Sequence, residues 1–416
     1  MNFLFLSVSC PVPADNGSKM RTWAMLRALV AEGHRITLLA FADPFMADAN
    51  GSPLFQGCHF ELLPHSLTSL SAGGNYGERL RGMLSQLPYG VLRLRSEAMG
   101  RRIHRLLDSG GVDAVISEQT EPLVNLPPLA GVPLVLDNQN VEHLILQRYL
   151  ALESNPAKWC YAWLEHRRMR QWERLACHQA TVGLACSKHD RALLQALNHA
   201  LPVFVVPNVV DVDGYTPAGA DDGITVIYQG GMDWYPNRDA IGFFVSAILP
   251  DLRRLTPRVR FVAAGRNPSE KFRRRFAAIP DVVLTGTVPD MGEQIASAAV
   301  CVVPLRIGSG TRLKILEAAA MAKPIVSTHL GAEGLDFVAG QEIILTDKPD
   351  AFARAVAGLL ADAGARRALG QAARRRVEQS YNFPVLRTAV RNALGALGTN
   401  PRSNRPTPAE VRAEAS

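Results

Sequence analysis

Short apolar, β-rich runs recur along both halves of the chain, each followed by a stretch with helical spacing, and few folds accommodate that alternation. In the first half the runs are FLFLSVS, HRITLLAF, VDAVISE, VPLVLD and ATVGLACS, with KMRTWAMLRALVAEG as the clearest helical pattern among them. In the second they are ITVIYQGG, VRFVAAG, VVLTGTV, ASAAVCVVPL and KPIVST, with AIGFFVSAILPDLRRL and ILEAAAMA between. Strands alternating with helices predict βαβ units and parallel sheets, and near-continuous apolar strands predict helices on both sheet faces. The helix from Lys19 to Ala31 is expected to stop at Gly33, where glycine can take the left-handed conformation that closes a helix. Its Trp23, Leu26, Leu29 and Val30 are expected to face the sheet.

At roughly 150 residues per domain, a chain of 416 residues suits two domains. The segment LPVFVVPNVVDVDGYTPAGADDG loses both periods, which places a linker at 212–222 between a first doubly wound domain, 1–211, and a second, 223–381. A helix at 382–397 is expected to cross back to the first domain, and the polar, Pro-rich tail 398–416 to be disordered. Two such domains predict a cleft between them, with ligands beyond the C-terminal strand ends.

The net charge of +7 is unevenly placed. Residues 1–215 hold 19 Lys and Arg against 19 Asp and Glu, so the excess falls in 216–416, which should favour an anion. No aromatic-interleaved basic motif or zinc-finger spacing points to nucleic acid, so a small phosphorylated ligand fits better. The six cysteines are scattered singly and the ten histidines form no metal-spaced motif, which predicts free thiols in a reducing cytosol and no bound metal. The opening apolar run lacks a basic flank and reads as a first strand, and no segment nears the ~18 apolar residues of a membrane span.

The stretch PLRIGSGTRLKILEAAAMA, after an apolar strand, carries the most chemistry. Gly308 and Gly310 permit close backbone approach, and a helix beginning near Arg312 and running to Ala322 would offer unpaired N–H groups to an anion. Arg312 supplies a planar fork and Lys314 a mobile charge, enough to neutralise a diphosphate without metal, while Glu317 can accept hydrogen bonds from ribose hydroxyls. The same cations read equally as solvated surface charges. No Gly-Lys-Ser/Thr follows, so this is not an ATP-hydrolysing loop.

These residues resemble the retaining glycosyltransferases of family 4. The resemblance runs to about residue 396, through PVPADNGSKMRTWAMLRALVAEGHRITLLAF, GLACSKHDRALL, VVPNVVDVDGYTP and VRFVAAGRNP, and is strongest at PLRIGSGTRLKILEAAAMAKPIVSTHLGAEGL, similar to a subgroup with a GxGTRLKxLEAMA donor site. It implies the GT-B fold, two Rossmann-like domains, and transfer of a sugar from a nucleoside diphosphate sugar to a hydroxyl, with retention and no essential metal or other cofactor. Glu317 then binds the donor ribose, Arg312 and Lys314 the diphosphate, and Gly308, Ser309, Gly310 and Thr311 the loop around it. Ser309 stands where the family's first signature glutamate falls. QGGMDWYPNRDA replaces the family's usual phosphate-binding Arg and Lys, so Gly230, Gly231 and Asn237 shape the pocket, or Asn237 merely caps a helix. Trp234 and Tyr235 read as core or pocket wall, Gly17 as a phosphate-approaching turn or a plain one, and Glu333 as a donor contact.

In VLDNQNVEH, Asp137, Gln139, Asn140 and Glu142 are the acceptor-side candidates. Gln139 replaces an expected histidine, and His143 reads equally as a buried or capping residue. Two basic, apolar-interleaved stretches, ERLRGMLSQLPYGVLRLRSEAMGRRIHRLL and KWCYAWLEHRRMRQWERL, suit either peripheral contact with an anionic membrane or amphipathic helices packed on their own sheet. The resemblance further implies a cytoplasmic enzyme, at the inner membrane face where its acceptor is lipid-linked, in bacterial exopolysaccharide or cell-envelope glycan synthesis. The alternatives are a catalytically reduced nucleotide-sugar sensor or scaffold and a GT-B epimerase. A nicotinamide oxidoreductase is disfavoured because no GxGxxG follows the first strand.

Overall fold

A computed structural model describes residues 1–42, 57–64, 82, 85–217 and 221–397. The tail 398–416, residues 218–220 of the expected linker and residues 78–81 and 83–84 of the first basic stretch lie outside the described residues. The chain divides into two compact units: residues 1–206 with 387–416, and residues 207–386.

The main elements of the first unit are β1 (Asn2–Ser7), α1 (Gly17–Ala31), β2 (Arg35–Phe41), β3 (Cys58–Leu63), α2 (Glu97–Asp108), β4 (Ala114–Glu118), β5 (Leu134–Asn138), α3 (Glu142–Leu150), α4 (Pro156–Gln179), β6 (Val182–Ala185), α5 (Lys188–Leu197) and β7 (Val203–Val205). Its strands form one parallel sheet in the order β3-β2-β1-β4-β5-β6-β7. β1, β4, β5 and β6 are buried almost throughout, as sheet centres covered on both faces must be. The edges β3 and β7 carry half-buried residues and escaped the periodicity reading.

Helix α1 begins two residues earlier than its apolar pattern, because Asn16 caps it by accepting from the Lys19 N–H at 3.1 Å. It closes as expected ahead of Gly33, which has φ +80°. Its inward face is Met25, Leu26, Ala28 and Leu29, while Trp23 and Val30 are only half-buried.

The second unit contains β8 (Thr225–Gln229), α6 (Tyr235–Phe243), α7 (Leu249–Leu255), β9 (Arg260–Ala264), α8 (Glu270–Phe276), β10 (Val282–Gly286), α9 (Met291–Ser297), β11 (Val300–Val303), α10 (Leu313–Ala320), β12 (Ile325–Ser327), β13 (Ile344–Leu345), α11 (Pro349–Ala361) and α12 (Ala363–Ser380). Its sheet has the order β10-β9-β8-β11-β12-β13, all parallel. The run AIGFFVSAILPDLRRL is not one regular helix: a π turn at Phe244–Ile248 joins α6 to α7 ahead of Pro250, whose missing N–H cannot extend an α ladder. Phe244 of that turn stacks on Phe261 of β9 at 4.3 Å and anchors the helices to the sheet.

The last helix, α13 (Phe383–Gly395), places Arg387 and Arg391 on Glu32 at the end of α1, at 2.8 and 2.7 Å. In each sheet the strand order reverses once, between β1 and β4 and between β8 and β11. Ligands of open α/β sheets bind beyond the strand ends at such reversals.

Candidate active site

At the reversal in the second sheet, the segment after β11 makes the glycine turn and α10 starts at Leu313, one residue later than expected, ending at Ala320. Arg312 is the residue preceding the first helical turn. It is buried, and its Nη1 donates to the carbonyls of Ser309 and, at 2.5 Å, Gly310. The guanidinium therefore folds the turn onto itself. Gly308 makes room for it, since a Cβ there would lie 2.6 Å from Arg312 Nη2 and the backbone has φ +151°. Thr311 accepts from Asn208 Nδ2 at 2.8 Å.

Lys314 reaches back over the end of β8. Its Nζ donates to the Tyr228 hydroxyl at 2.7 Å and to Asn237 Oδ1 at 2.9 Å, and it lies 4.1 Å from the Tyr228 ring centre. The Tyr228 hydroxyl donates to the same Asn237 oxygen at 2.6 Å, and Asn237 Nδ2 donates to the Gly231 carbonyl at 2.7 Å. Gly230 must remain a glycine, because a Cβ would come within 2.8 Å of both Lys314 Nζ and Asn237 Nδ2. Burial first, and the Arg312 charge second, push the Lys314 ammonium down to about 7 against the opposing pull of Glu317.

Glu317 lies on the next turn of α10 and accepts from the Tyr215 hydroxyl at 2.8 Å. Burial holds its carboxyl above the usual range, although the bonds from Tyr215 and Gln229 oppose the shift. Glu333 is half-buried in the turn after β12. Trp234 and Tyr235 are exposed rather than core.

Asn237, Gly230, Gly231, Lys314, Arg312 and Gly308 to Thr311 thus meet at one sheet reversal. Tyr228 and Tyr215 were missed: Tyr228 reads as another β-former in ITVIYQGG, and its one signal is a hydroxyl at a strand end before two glycines. Tyr215 lies in a stretch that reads only as linker.

In the first unit the reversal holds a hydrogen-bonded carboxyl that sequence reasoning also missed. Glu118, buried at the end of β4, accepts from the hydroxyls of Ser7 at the end of β1 and Ser18 beside Gly17, the latter at 2.5 Å, and from Gln139 Nε2 at 3.0 Å. Burial pushes this carboxyl up against the hydroxyl bonds from Ser18, Ser7 and Thr22. Gly17 is exposed as the first residue of α1, just past this cluster. A carboxylate closing an otherwise apolar strand was the available signal.

The acceptor-side candidates do not act as one group. Asp137 is 0% exposed and forms a two-point pair with Arg21, at 3.1–3.2 Å from Nε and 2.5 Å from Nη2, while Arg21 Nη1 donates to the Val206 carbonyl. Gln139 belongs to the Glu118 cluster. Asn140 donates to Glu142 at 3.2 Å. His143 is buried, with Nδ1 2.5 Å from Glu173, and Glu173 also accepts from the Glu142 and His143 N–H groups.

Burial first, and repulsion from neighbouring carboxyls including Glu173 second, hold the carboxyls of Glu121 and Glu142 well above the usual range. Such groups keep protons in the folded state that the unfolded chain has released, so stability falls as pH rises above the ordinary carboxylate value. Glu142→Gln should accordingly raise the melting temperature by several degrees at pH 9 and little at pH 5. An equal gain at both pH values, or none, would contradict the assigned burial.

Among the described residues, no three His, Cys, Asp or Glu side chains gather as metal ligands, and no helix is long and apolar enough to cross a membrane. Helix α2 buries Met99 and Ile103, and α4 buries Ala162, Met169, Ala176 and Cys177. Trp159 and Trp163 remain exposed on α4, at 41% each.

Two family descriptions match the chain: Glycosyltransferase Family 4 over residues 16–213 and Glycosyl transferases group 1 over residues 223–362. The chain carries both glycosyltransferase domains and has the GT-B fold. The likeness extends to solved structures with that fold: HepE of Anabaena in complex with UDP-glucose, 14% identical, has a TM-score of 0.65 over 95% of this chain and 100% of its own. A mutant of S. aureus TarM, in complex with fondaparinux, α-GlcNAc-glycerol and UDP, is 9% identical, with a TM-score of 0.64 over 95% of this chain and 99% of its own. Among curated proteins, a phosphatidylinositol N-acetylglucosaminyltransferase subunit of Arabidopsis thaliana is 29% identical over 182 residues. That match covers 41% of this chain and 39% of the plant protein.

Proposed function

We propose that the protein transfers a sugar from a nucleoside diphosphate sugar to a hydroxyl acceptor, with retention of anomeric configuration. The observation that carries this reading is the Lys314–Tyr228–Asn237 arrangement beside the glycine turn. It holds a titratable ammonium that has no ion-pair partner among the described residues, carried on the first turn of α10, whose start has no side-chain cap.

The turn and Lys314 take the diphosphate, and Glu317 the ribose hydroxyls. Arg312 is a positioning residue, since its fork fixes the turn through Ser309 and Gly310. Charge builds on the leaving diphosphate as its bond to the sugar breaks, so preorganised N–H dipoles and the Lys314 ammonium stabilise the transition state more than the ground state. A donor phosphate oxygen takes the acceptor proton, so no side-chain base is assigned. We assign the acceptor to the cell-envelope or exopolysaccharide glycan class, in keeping with the family resemblance.

UDP is the first nucleotide to test, because HepE and TarM were each solved with it or its glucose ester. A thermal-shift series with UDP, GDP, ADP and TDP should show stabilisation by one of them, about 2.7 kcal/mol at 100 times its dissociation constant. Glu317→Gln should reduce that stabilisation. NMR of the product made from the matching α-linked sugar nucleotide should show an α linkage. Failure of every nucleotide to stabilise the protein would remove the donor assignment, and a β product would remove retention alone.

A further inference from the structure

On the opposite side of α6 from Asn237, within the second unit, lies a cavity of about 280 Å³ that the donor reading does not use. Arg238 and Asp239 of α6, Arg275 of α8 and Arg306 after β11 line it, with the aromatic residues Tyr235, Phe243 and Phe272. Arg306 grips Asp239 at two points, at 3.0 and 2.6 Å, and its guanidinium lies 4.5 Å over the Phe243 ring. The carboxylate is thereby neutralised, and two guanidinium charges remain. Arg238 is fixed by Nη1 bonds to the carbonyls of Met232 and Asp233, at 2.9 and 2.7 Å.

Arg275 differs. Among the described residues it has no hydrogen-bond or ion-pair partner; its guanidinium lies 5.2 Å from the Phe276 ring centre. It also lies beside Gly242, where a Cβ would come within 3.5 Å of Nη1. A larger residue at 242 would fill the space between Arg275 and α6. The π turn Phe244–Ile248 borders the same space and contributes Ser246, an irregularity that recurs at functional sites.

We propose that this cavity is a second ligand site, taking one sugar ring that bears a carboxylate or a phosphate. The uncompensated guanidinium forks suit an oxyanion, and the aromatic walls suit the apolar face of a ring. The volume lies just below the range of drug-sized ligand cavities, about 300–1,000 Å³, and so suits a single ring. Arg306 precedes Gly308 by two residues and Arg238 directly follows Asn237. The site therefore shares structural elements with the glycine turn but none of its side chains, and it does not depend on the donor reading.

Calorimetric titration of the full chain with glucuronate, glucose 6-phosphate, inorganic phosphate and glucose, with and without UDP, tests this. At least one charged sugar should bind, about tenfold or more tightly than glucose and also more tightly than inorganic phosphate. Arg275→Ala, a change at an exposed position, should weaken it about tenfold or more while leaving UDP binding unchanged. Preference for glucuronate or for glucose 6-phosphate identifies the oxyanion. Absence of charged-sugar binding, indifference to Arg275→Ala, equal binding of inorganic phosphate, or displacement by UDP would each overturn the proposal.

Discussion

Lys314→Met is expected to lower sugar transfer by about 10²–10³-fold, the usual cost of losing one preorganised charge-stabilising group, while leaving the free protein at least as stable at pH 7. The two effects have one cause. The ammonium is held at about 7, below the 10.5 of an ordinary lysine, because burial denies it water and Arg312 repels it. Between those values the unfolded chain binds the proton and the folded chain does not, so stability rises with pH across that window. Below about pH 7 the full cost of the poorly solvated ammonium is present. Methionine fills similar space without the charge, so the variant should lack the rise in stability that the wild type shows from pH 7 to 10.

A diphosphate reverses the balance by favouring the charged form. Nucleotide binding above pH 7 should therefore take up protons, and affinity should weaken as pH rises. Calorimetry in buffers of different ionisation enthalpy, compared with the variant, measures this uptake. Wild-type turnover in Lys314→Met, or proton uptake that persists in it, would remove Lys314 from the site.

The second large effect is expected at Asp137. Breaking a buried ion pair by removing one partner costs ~3–5 kcal/mol, because the remaining charge is stranded. Asp137→Ala should therefore lower the melting temperature by roughly 10 °C, with Arg21 left uncompensated. Replacing both residues together, Arg21→Met with Asp137→Leu, should recover most of that loss. If Asp137 instead serves the acceptor directly, Asp137→Ala would lower transfer at unchanged stability and the double variant would recover nothing. Melting curves and initial rates on the same preparations separate these results.

The contrast between Lys314 and Asp137 shows what was legible. The strands β1, β2, β4 to β6 and β8 to β12 and the glycine turn could be read directly, since strand burial and turn flexibility are properties of short segments. The edge strand β3 was not, because a half-buried edge dilutes the apolar pattern. VLDNQNVEH looked like one site in the sequence, yet it divides among the Arg21 pair, the Glu118 cluster and the Glu173 contacts. Adjacent strand-end residues point to different faces, and each face meets a different element.

The sequence by itself determined the parallel α/β architecture, the excess of Lys and Arg in the second half and the residues of the turn, because these depend on local periodicity, local charge and glycine placement. Only the tertiary structure decided what each side chain does. It buried Lys314 against Tyr228, 86 residues away, and beside the Arg312 charge, and that burial lowered its proton affinity; it turned Arg312 inward as a clip; and it enclosed Asp137 with Arg21. Those outcomes follow from burial and from partners distant in sequence, and the free energy of a charge depends on both.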